Sequence, residues 1–120
     1  MESLPLVLQV IVALGLLNVW LVRAGQATRY RGGDAKSIRE EFAAYGLPGG
    51  VMWIVGVLKV SIAIALIGGI WMPALVKPAA SVLVVLMLGA IAMHAKVKDP
   101  VAKSVPAAGM LALAIALLML

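Results

Sequence analysis

The sequence predicts an all-α fold: an integral membrane four-helix bundle with a short interfacial helix between spans one and two. Hydrophobic residues make up 64% of the 120-residue chain and charged residues only 12%, whereas soluble domains are nearer half apolar and a quarter charged. The mean hydropathy is +1.12. Four apolar stretches are each long enough to cross a bilayer, which takes about 20 residues. Lys and Arg collect between these stretches, as they do beside membrane spans.

The four spans are predicted near residues 4–24, 50–71, 79–97 and 100–120, and they form a single domain, 1–120. Spans two and three are joined by a short turn, 73–78, with a proline at each end, which favours antiparallel neighbours. Asp99-Pro100 is typical of an N-cap followed by proline at the first helical position. Pro106 predicts that the fourth helix is kinked or starts late, near Ser104.

The short interfacial helix is predicted at residues 37–46. Ser37 and Glu40 have the spacing of a capping box, and Gly46 followed by Pro48 ends the helix. Its apolar edge consists of Ile38, Phe42 and Tyr45. This edge suits a helix that lies at the headgroup level, or one that caps the bundle, and the sequence leaves both interpretations open.

The basic residues predict the orientation of the spans. Eight Lys or Arg residues lie on one side of the spans, and only Lys77 lies on the other. The eight are Arg23, Arg29, Arg31, Lys36, Arg39, Lys96, Lys98 and Lys103. Because cytoplasmic loops carry the excess of Lys and Arg, loops 23–48 and 96–103 are predicted to be cytoplasmic. Both termini then lie outside a multi-pass protein of the cell (plasma, or inner) membrane. Charges that flank apolar spans face anionic lipids, so we expect lipid partners and no nucleic acid.

The second span carries a lysine, Lys59, near its middle. A charge at that depth costs about 3 kcal/mol and normally faces protein or water. Gly56 and Ala63 lie on the same helical face as Lys59, and small residues in such a row let another helix approach. We therefore expect Lys59 to point into the protein.

Three polar residues from three spans fall at similar depth, namely Asn18, Lys59 and His94. They predict a ligand-binding pocket that opens to the cytoplasmic side and holds a polar headgroup or a quinone carbonyl, with Glu40 and Glu41 as candidate charge partners of the lysine. Simpler interpretations stay open. Lys59 could extend to the interface or pair with either carboxylate, Asn18 could bond a neighbouring carbonyl, and His94 could be an ordinary interfacial residue.

The composition also excludes several kinds of chemistry. The absence of cysteine removes disulfides, thiolate nucleophiles and Cys-ligated metals. One histidine with no cysteine matches no known zinc or haem ligand set, so no metal site is expected. His94 is expected to lack a buried carboxylate partner, and the spans contain no Asp or Glu. We therefore expect no catalytic residues and no carboxylate-driven proton coupling.

Three segments together resemble the DoxX-like family of small four-span membrane proteins. They are FAAYGLP at 42–48, GVLK at 56–59 and GAIAMH at 89–94, and the likeness covers nearly the whole chain. Members often have Glu or Lys at the place of Lys59 and a His that closes the third span, as His94 does. The family takes its name from a subunit of a thiosulfate:quinone oxidoreductase, and relatives are linked to membrane redox complexes and, in animals, to receptor assembly. The resemblance implies the fold more directly than a reaction.

Three functions fit these observations. The first is an accessory module, without catalysis of its own, that binds a lipid-like molecule or a membrane protein partner, which includes a second copy of the chain. The second is the membrane subunit of a quinone-linked redox system, in which a bound quinone is the cofactor and Lys59 and His94 hydrogen-bond it. The third is a small oligomeric transporter, whose site would lie near the midplane. A co-purified ligand would separate them.

Overall fold

A computed structural model of the chain describes residues 3–22, 25, 32–33 and 35–120, and all regular secondary structure in these ranges is helical. The helices are α1 (Ser3–Leu17, continued by a π-helical turn over Asn18–Val22), α2 (Ile38–Ala44), α3 (Gly49–Gly68), α4 (Val76–Lys96) and α5 (Val105–Met119), with 3-10 turns at Pro73–Leu75 and Val101–Ser104. Four stretches are long and apolar enough to span a membrane: Ser3–Leu21, Gly50–Gly68, Pro73–Lys96 and Val101–Met119. The predicted fold class is confirmed.

The four long helices close into a ring. α1 packs against α3 and α5, and α4 packs against the same two helices from the other side. The short helix α2 packs against α3. Each long helix therefore buries one stripe against two neighbours and leaves the remainder of its apolar surface for lipid.

The tightly packed core occupies only one half of this ring. Its buried residues lie in the middle of the first span, the second half of α3, mainly the first half of α4, and the second half of α5. They include Val12, Leu16, Ala63, Leu66, Ala80, Leu83, Ala114 and Leu117. Because neighbouring helices are antiparallel, these portions come together toward the end of the bundle that holds the α3–α4 turn. The described residues of the other half, next to α2, form no equivalent core, and that half contains the cavity described below.

Gln9 joins α1 to the end of α3 inside the packed half. The amide of Ile70 bonds the carbonyl of Ile67 instead of continuing the α-helical pattern to Leu66. The side chain of Gln9, only 3% exposed, donates from Nε2 to the Leu66 carbonyl at 3.0 Å. A helix leaves its last carbonyls without backbone partners, and Gln9 satisfies one of them.

Replacing Gln9 with leucine should destabilise the bundle by about 1 kcal/mol, because the Leu66 carbonyl loses its donor in a setting without water. Unfolding of the detergent-solubilised protein would measure the change. Asn18→Leu is the matched control, since Asn18 lies in the same span, is exposed and makes no hydrogen bond to another described residue. Equal stability of both variants would contradict a structural role for Gln9.

Two span boundaries differ from their predicted positions. α3 ends at Gly68 rather than Trp71, because the Gly68-Gly69 pair favours a turn, and the amides of Trp71 and Met72 both bond the Gly68 carbonyl. α4 begins at Val76 rather than residue 79. Pro78 is tolerated there because amides of the first helical turn have no intrahelical acceptor to lose.

The other two spans are the first, whose predicted end is only partly described, and the fourth, whose start is described in full. The last residues of the predicted first span, 23–24, lie outside the described residues. The fourth span starts as a 3-10 turn, and α5 begins at Val105, so the delayed start predicted from Pro106 is confirmed. Of the predicted basic loop, Arg23, Arg29 and Arg31 lie outside the described residues.

Helix α2 is a cap on the open end of the ring. The Ser37 hydroxyl accepts from the Glu40 amide at 3.1 Å, and Gly46 adopts φ +75, as the predicted capping box and stop require. Ile38 and Tyr45 are buried, and Phe42 packs edge-on against Trp20 with the ring centroids 6.1 Å apart. The apolar edge of α2 therefore contacts the bundle, which supports the capping interpretation.

Candidate functional site

A cavity of about 790 Å³ lies between α2 and the packed core. Every long helix contributes to its walls, and most of the lining side chains are apolar. Its size is that of a small-molecule site in other proteins. Small residues help to keep it open: a Cβ atom added to Gly89, which lines the wall, would meet no atom within 4 Å.

Lys59 lines this cavity, as the sequence analysis expected it to face the protein interior. Its Nζ lies 5.3 Å from the centroid of the Trp20 ring, and that ring rests on Gly56, where a Cβ would come within 2.9 Å of it. The small residue thus admits the ring on the face that carries the lysine. Among the described residues, Nζ makes no hydrogen bond or ion pair with a protein atom.

The other two predicted site residues line the same cavity. Asn18 starts the π-helical turn of the first span and is exposed. A π-helical turn rotates the following residues relative to an α-helix and is frequent at functional sites. His94, in the last turn of α4, is buried. The structure therefore brings Asn18, Lys59 and His94 to one cavity, and their binding of a ligand stays a prediction.

His94 has a carboxylate partner, which the sequence analysis did not foresee. Nδ1 of His94 lies 2.7 Å from Oδ2 of Asp99, and the two side chains are 8% and 4% exposed. The expectation that His94 lacks a buried carboxylate is wrong. The expectation that Asp99 is an N-cap is also wrong, because Pro100 occupies that position and the Asp99 side chain turns back to α4.

The turn that ends α4 explains the pair. Lys98 adopts the left-handed φ of +58, which lets the chain reverse. The amide of Lys98 bonds the Ala95 carbonyl at 3.1 Å, and that of Asp99 bonds the His94 carbonyl at 3.0 Å. This is the Schellman arrangement, in which the amide of the second residue beyond the cap bonds the carbonyl of the third residue from the helix end. Here the amide belongs to Asp99 and the carbonyl to His94, so the turn brings these two residues together.

Asp99 also anchors the segment that precedes α2. Its carboxylate accepts from the Gly33 amide at 3.0 Å and lies 3.7 Å from Nζ of Lys103, which itself donates to the Gly33 carbonyl at 2.6 Å. Burial acts to raise the pKa of Asp99. The hydrogen bonds from His94 and Gly33 and the charge of Lys103 outweigh burial and hold that pKa below its usual range.

One nitrogen of His94 remains for a ligand. Asp99 engages Nδ1, and no described residue hydrogen-bonds Nε2. No fully buried side-chain nitrogen or oxygen of the described residues lacks a partner, so Nε2 retains some exposed surface, and the His94 residue lines the cavity. A hydrogen bond at one imidazole nitrogen fixes what the other can do. Asp99 is therefore a positioning residue for His94.

A comparison with protein-family models matches residues 7–117 to the family described as the DoxX-like family. The chain belongs to the DoxX-like family. The comparisons with curated proteins and with solved structures gave no match. Together with the four apolar helices, family membership identifies a multi-pass membrane protein.

The two candidate charge partners occupy different places in this DoxX-like protein. Glu41 lines the cavity and is close enough to Lys59 to interact with it electrostatically. Its carboxylate also accepts from the Gly32 amide at 2.6 Å. Glu40 is exposed, and its carboxylate lies 3.4 Å from the Ser37 hydroxyl at the start of α2. Of the two, Glu41 belongs to the site.

Sequence reasoning missed three residues of the site: Asp99, Lys103 and Trp20. Asp99 follows His94 by five positions, the separation that a Schellman turn closes, but no Gly or Asn stands at the left-handed position to signal that turn. Trp20 was interpreted as a residue of the interfacial belt. No group of three or more His, Asp or Glu side chains within the described ranges could hold a metal ion.

Proposed function

We propose that this DoxX-like protein binds the polar head of a lipid-like molecule in its cavity and acts as an accessory module without catalysis of its own. The observation that carries the proposal is the position of Lys59, on the wall of a largely apolar cavity with Asn18 and His94. A mostly apolar pocket with a few convergent polar groups is the usual form of a binding site for an amphiphilic molecule.

A cavity-filling substitution tests this function. Gly89→Phe adds a ring at the cavity wall, where an added Cβ meets nothing within 4 Å. Gly109→Phe is the matched control, since Gly109 is equally open and does not line the cavity. Native mass spectrometry of protein in lipid nanodiscs should show a bound amphiphile on wild type and Gly109→Phe, and none on Gly89→Phe. Equal occupancy of all three would contradict the proposal.

A quinone-linked redox role is the second candidate, and the His94–Asp99 pair favours it. An imidazole whose Nδ1 is engaged presents Nε2 to a carbonyl or hydroxyl oxygen in the cavity. Since the chain contains no cysteine, electrons would have to pass through a bound quinone or a partner protein. Solvent extraction of the purified protein separates the two functions: a quinone at stoichiometric amount supports this one, and another amphiphile supports the first.

The same proposal includes an orientation in the cell membrane, with the α2 end of the bundle on the cytoplasmic side and both termini outside. The eight-to-one distribution of Lys and Arg supports it. Because the chain has no cysteine, single cysteines introduced at Lys36 and Lys77 report each side separately. A membrane-impermeant maleimide should label position 77 from outside intact cells and position 36 only after lysis. Labelling of position 36 from outside would overturn the orientation.

A further inference from the structure

We propose that the head group of the ligand is an oxyanion, a carboxylate or phosphate on an acyl chain, and that the ammonium of Lys59 is its direct partner. This inference rests on the proposed function and specifies the chemical class that the cavity selects. Four charged side chains of the described residues lie at the cavity. Lys59, Lys103 and Glu41 line its wall, and Asp99 lies behind His94.

Three of these four charges are engaged in direct contacts within the protein. The Asp99 carboxylate accepts a hydrogen bond from the Gly33 amide, pairs with Nδ1 of His94, and lies 3.7 Å from Nζ of Lys103. Lys103 donates to the Gly33 carbonyl at 2.6 Å. Glu41 accepts from the Gly32 amide at 2.6 Å. Their charges are therefore met by partners inside the protein, and an anionic ligand at Lys103 would compete with Asp99.

Lys59 differs from the other three. Its ammonium lies 5.3 Å from the centroid of the Trp20 ring, and Glu41 interacts with it electrostatically. The ammonium makes no hydrogen bond or ion pair with another described residue. Lys59 is half-buried and lines the cavity, so whatever enters the cavity meets a cation with unused donors. Lysine offers three N–H donors and no acceptor. The ligand atom that contacts it must therefore be an acceptor.

Charge selects among acceptors at this position. A neutral carbonyl would accept a hydrogen bond and leave the ammonium without a negative charge in direct contact. An oxyanion supplies acceptors and the missing negative charge together, and charge-assisted hydrogen bonds are about twice as strong as neutral ones. The walls beyond Lys59 are apolar, with Val51, Val55, Met87 and Met110 among them. The site thus matches an anionic head followed by an acyl chain.

Trp20 provides a fluorescence reporter for the test. Trp53 and Trp71 are 62% and 76% exposed and lie outside the cavity wall, so a Trp53→Phe, Trp71→Phe background keeps Trp20 as the sole tryptophan. The protein is reconstituted in phosphatidylcholine nanodiscs and titrated with alpha-bromopalmitate, whose bromine lies beside the carboxylate, or with its methyl ester. Bromine quenches Trp20 when the head binds at Lys59. Oleate, phosphatidate and diacylglycerol are then added as competitors.

The acid should quench Trp20 at a concentration at least about tenfold lower than its methyl ester, as expected for a hydrogen bond to a charged group. Lys59→Met should remove this preference and leave ester binding unchanged, whereas Lys77→Met, at the other end of the bundle, should keep it. Competition by oleate alone identifies a free carboxylate as the ligand class, and competition by phosphatidate but not diacylglycerol identifies a lipid phosphate.

Equal quenching by acid and ester in the Trp53→Phe, Trp71→Phe background would overturn the anionic head, and this comparison needs no substitution in the cavity wall. If acid and ester quenched equally and Gly89→Phe abolished the quenching by both, the probes would be binding in the cavity. The proposed function would then stand without the anionic head. Absence of quenching by every probe would overturn both.

Discussion

Lys59→Met should make the ligand-free protein more stable by about 1–2 kcal/mol. A lysine at the centre of a span costs about 3 kcal/mol, and methionine removes this cost with similar length. Contact between the ammonium of the half-buried Lys59 and the Trp20 ring at 5.3 Å offsets about 1 kcal/mol of it. The attraction to Glu41 returns a further part. The net change in the free energy of unfolding is the cost of the lysine minus these two attractions. Lys59→Met should therefore stabilise the protein, whereas most core substitutions destabilise it.

Reversible unfolding of delipidated protein in mixed micelles would measure this stability. Lys77→Met is the control, and it should change the free energy of unfolding by less than about 0.5 kcal/mol because Lys77 is exposed. Added anionic amphiphile should then stabilise the wild type in a concentration-dependent way and leave Lys59→Met unaffected, since a ligand stabilises only the state that binds it. A less stable Lys59→Met protein would instead show that the lysine holds the fold together.

The three predicted site residues should also act as a unit in binding. Asn18→Leu and His94→Phe are each expected to weaken the same ligand. In combination with Lys59→Met, the losses should not add, because residues that contact one ligand share its interaction energy. Additive losses would place the three side chains in separate sites despite their common cavity.

The sequence predicted the architecture well because membrane spans depend on composition. A run of about 20 apolar residues specifies a span whatever surrounds it, and the Ser37–Glu40 capping box is set by local hydrogen bonds. The inward direction of Lys59 was predictable for the same reason, since lipid penalises the alternative. Gly56 marked its face correctly, although what packs there is the Trp20 ring of the first span.

The environment of His94 could not be predicted in the same way. Asp99-Pro100 favours an N-cap when considered locally, and the structure instead uses Asp99 as the far end of a turn. That outcome depends on a left-handed Lys98, a conformation that sequence favours only for glycine or asparagine. Contacts with Gly33 and Lys103 compensate for it, and such long-range contacts have no signature in the chain itself. The division of the bundle into a packed half and a hollow half also depends on long-range contacts, so it could not be predicted from the sequence.

Asp99→Asn should destabilise the protein by about 2 kcal/mol near neutral pH. The amide keeps the shape of the side chain and loses the charge that meets His94 at 2.7 Å and Lys103 at 3.7 Å. Hydrogen bonds to charged groups contribute about 1.5–3 kcal/mol each when intact. The substitution should also weaken ligand binding, because His94 loses the partner that orients its ring toward the cavity. Glu40→Gln is the control, as Glu40 is an exposed carboxylate at a helix cap.

The pH dependence of this difference distinguishes a charge effect from a change of shape. The pKa of Asp99 in the folded protein lies below its ordinary value of 3.8, so the folded state binds fewer protons than the unfolded state around that pH. The stabilisation is therefore fully present above pH 3.8 and is lost as the pH falls through the lowered pKa. Melting temperatures of wild type and Asp99→Asn should differ by a constant amount at higher pH and converge in acid. A difference that persists unchanged into strong acid would show that the carboxylate acts through packing alone, and the network joining His94, Gly33 and Lys103 would then not depend on its charge.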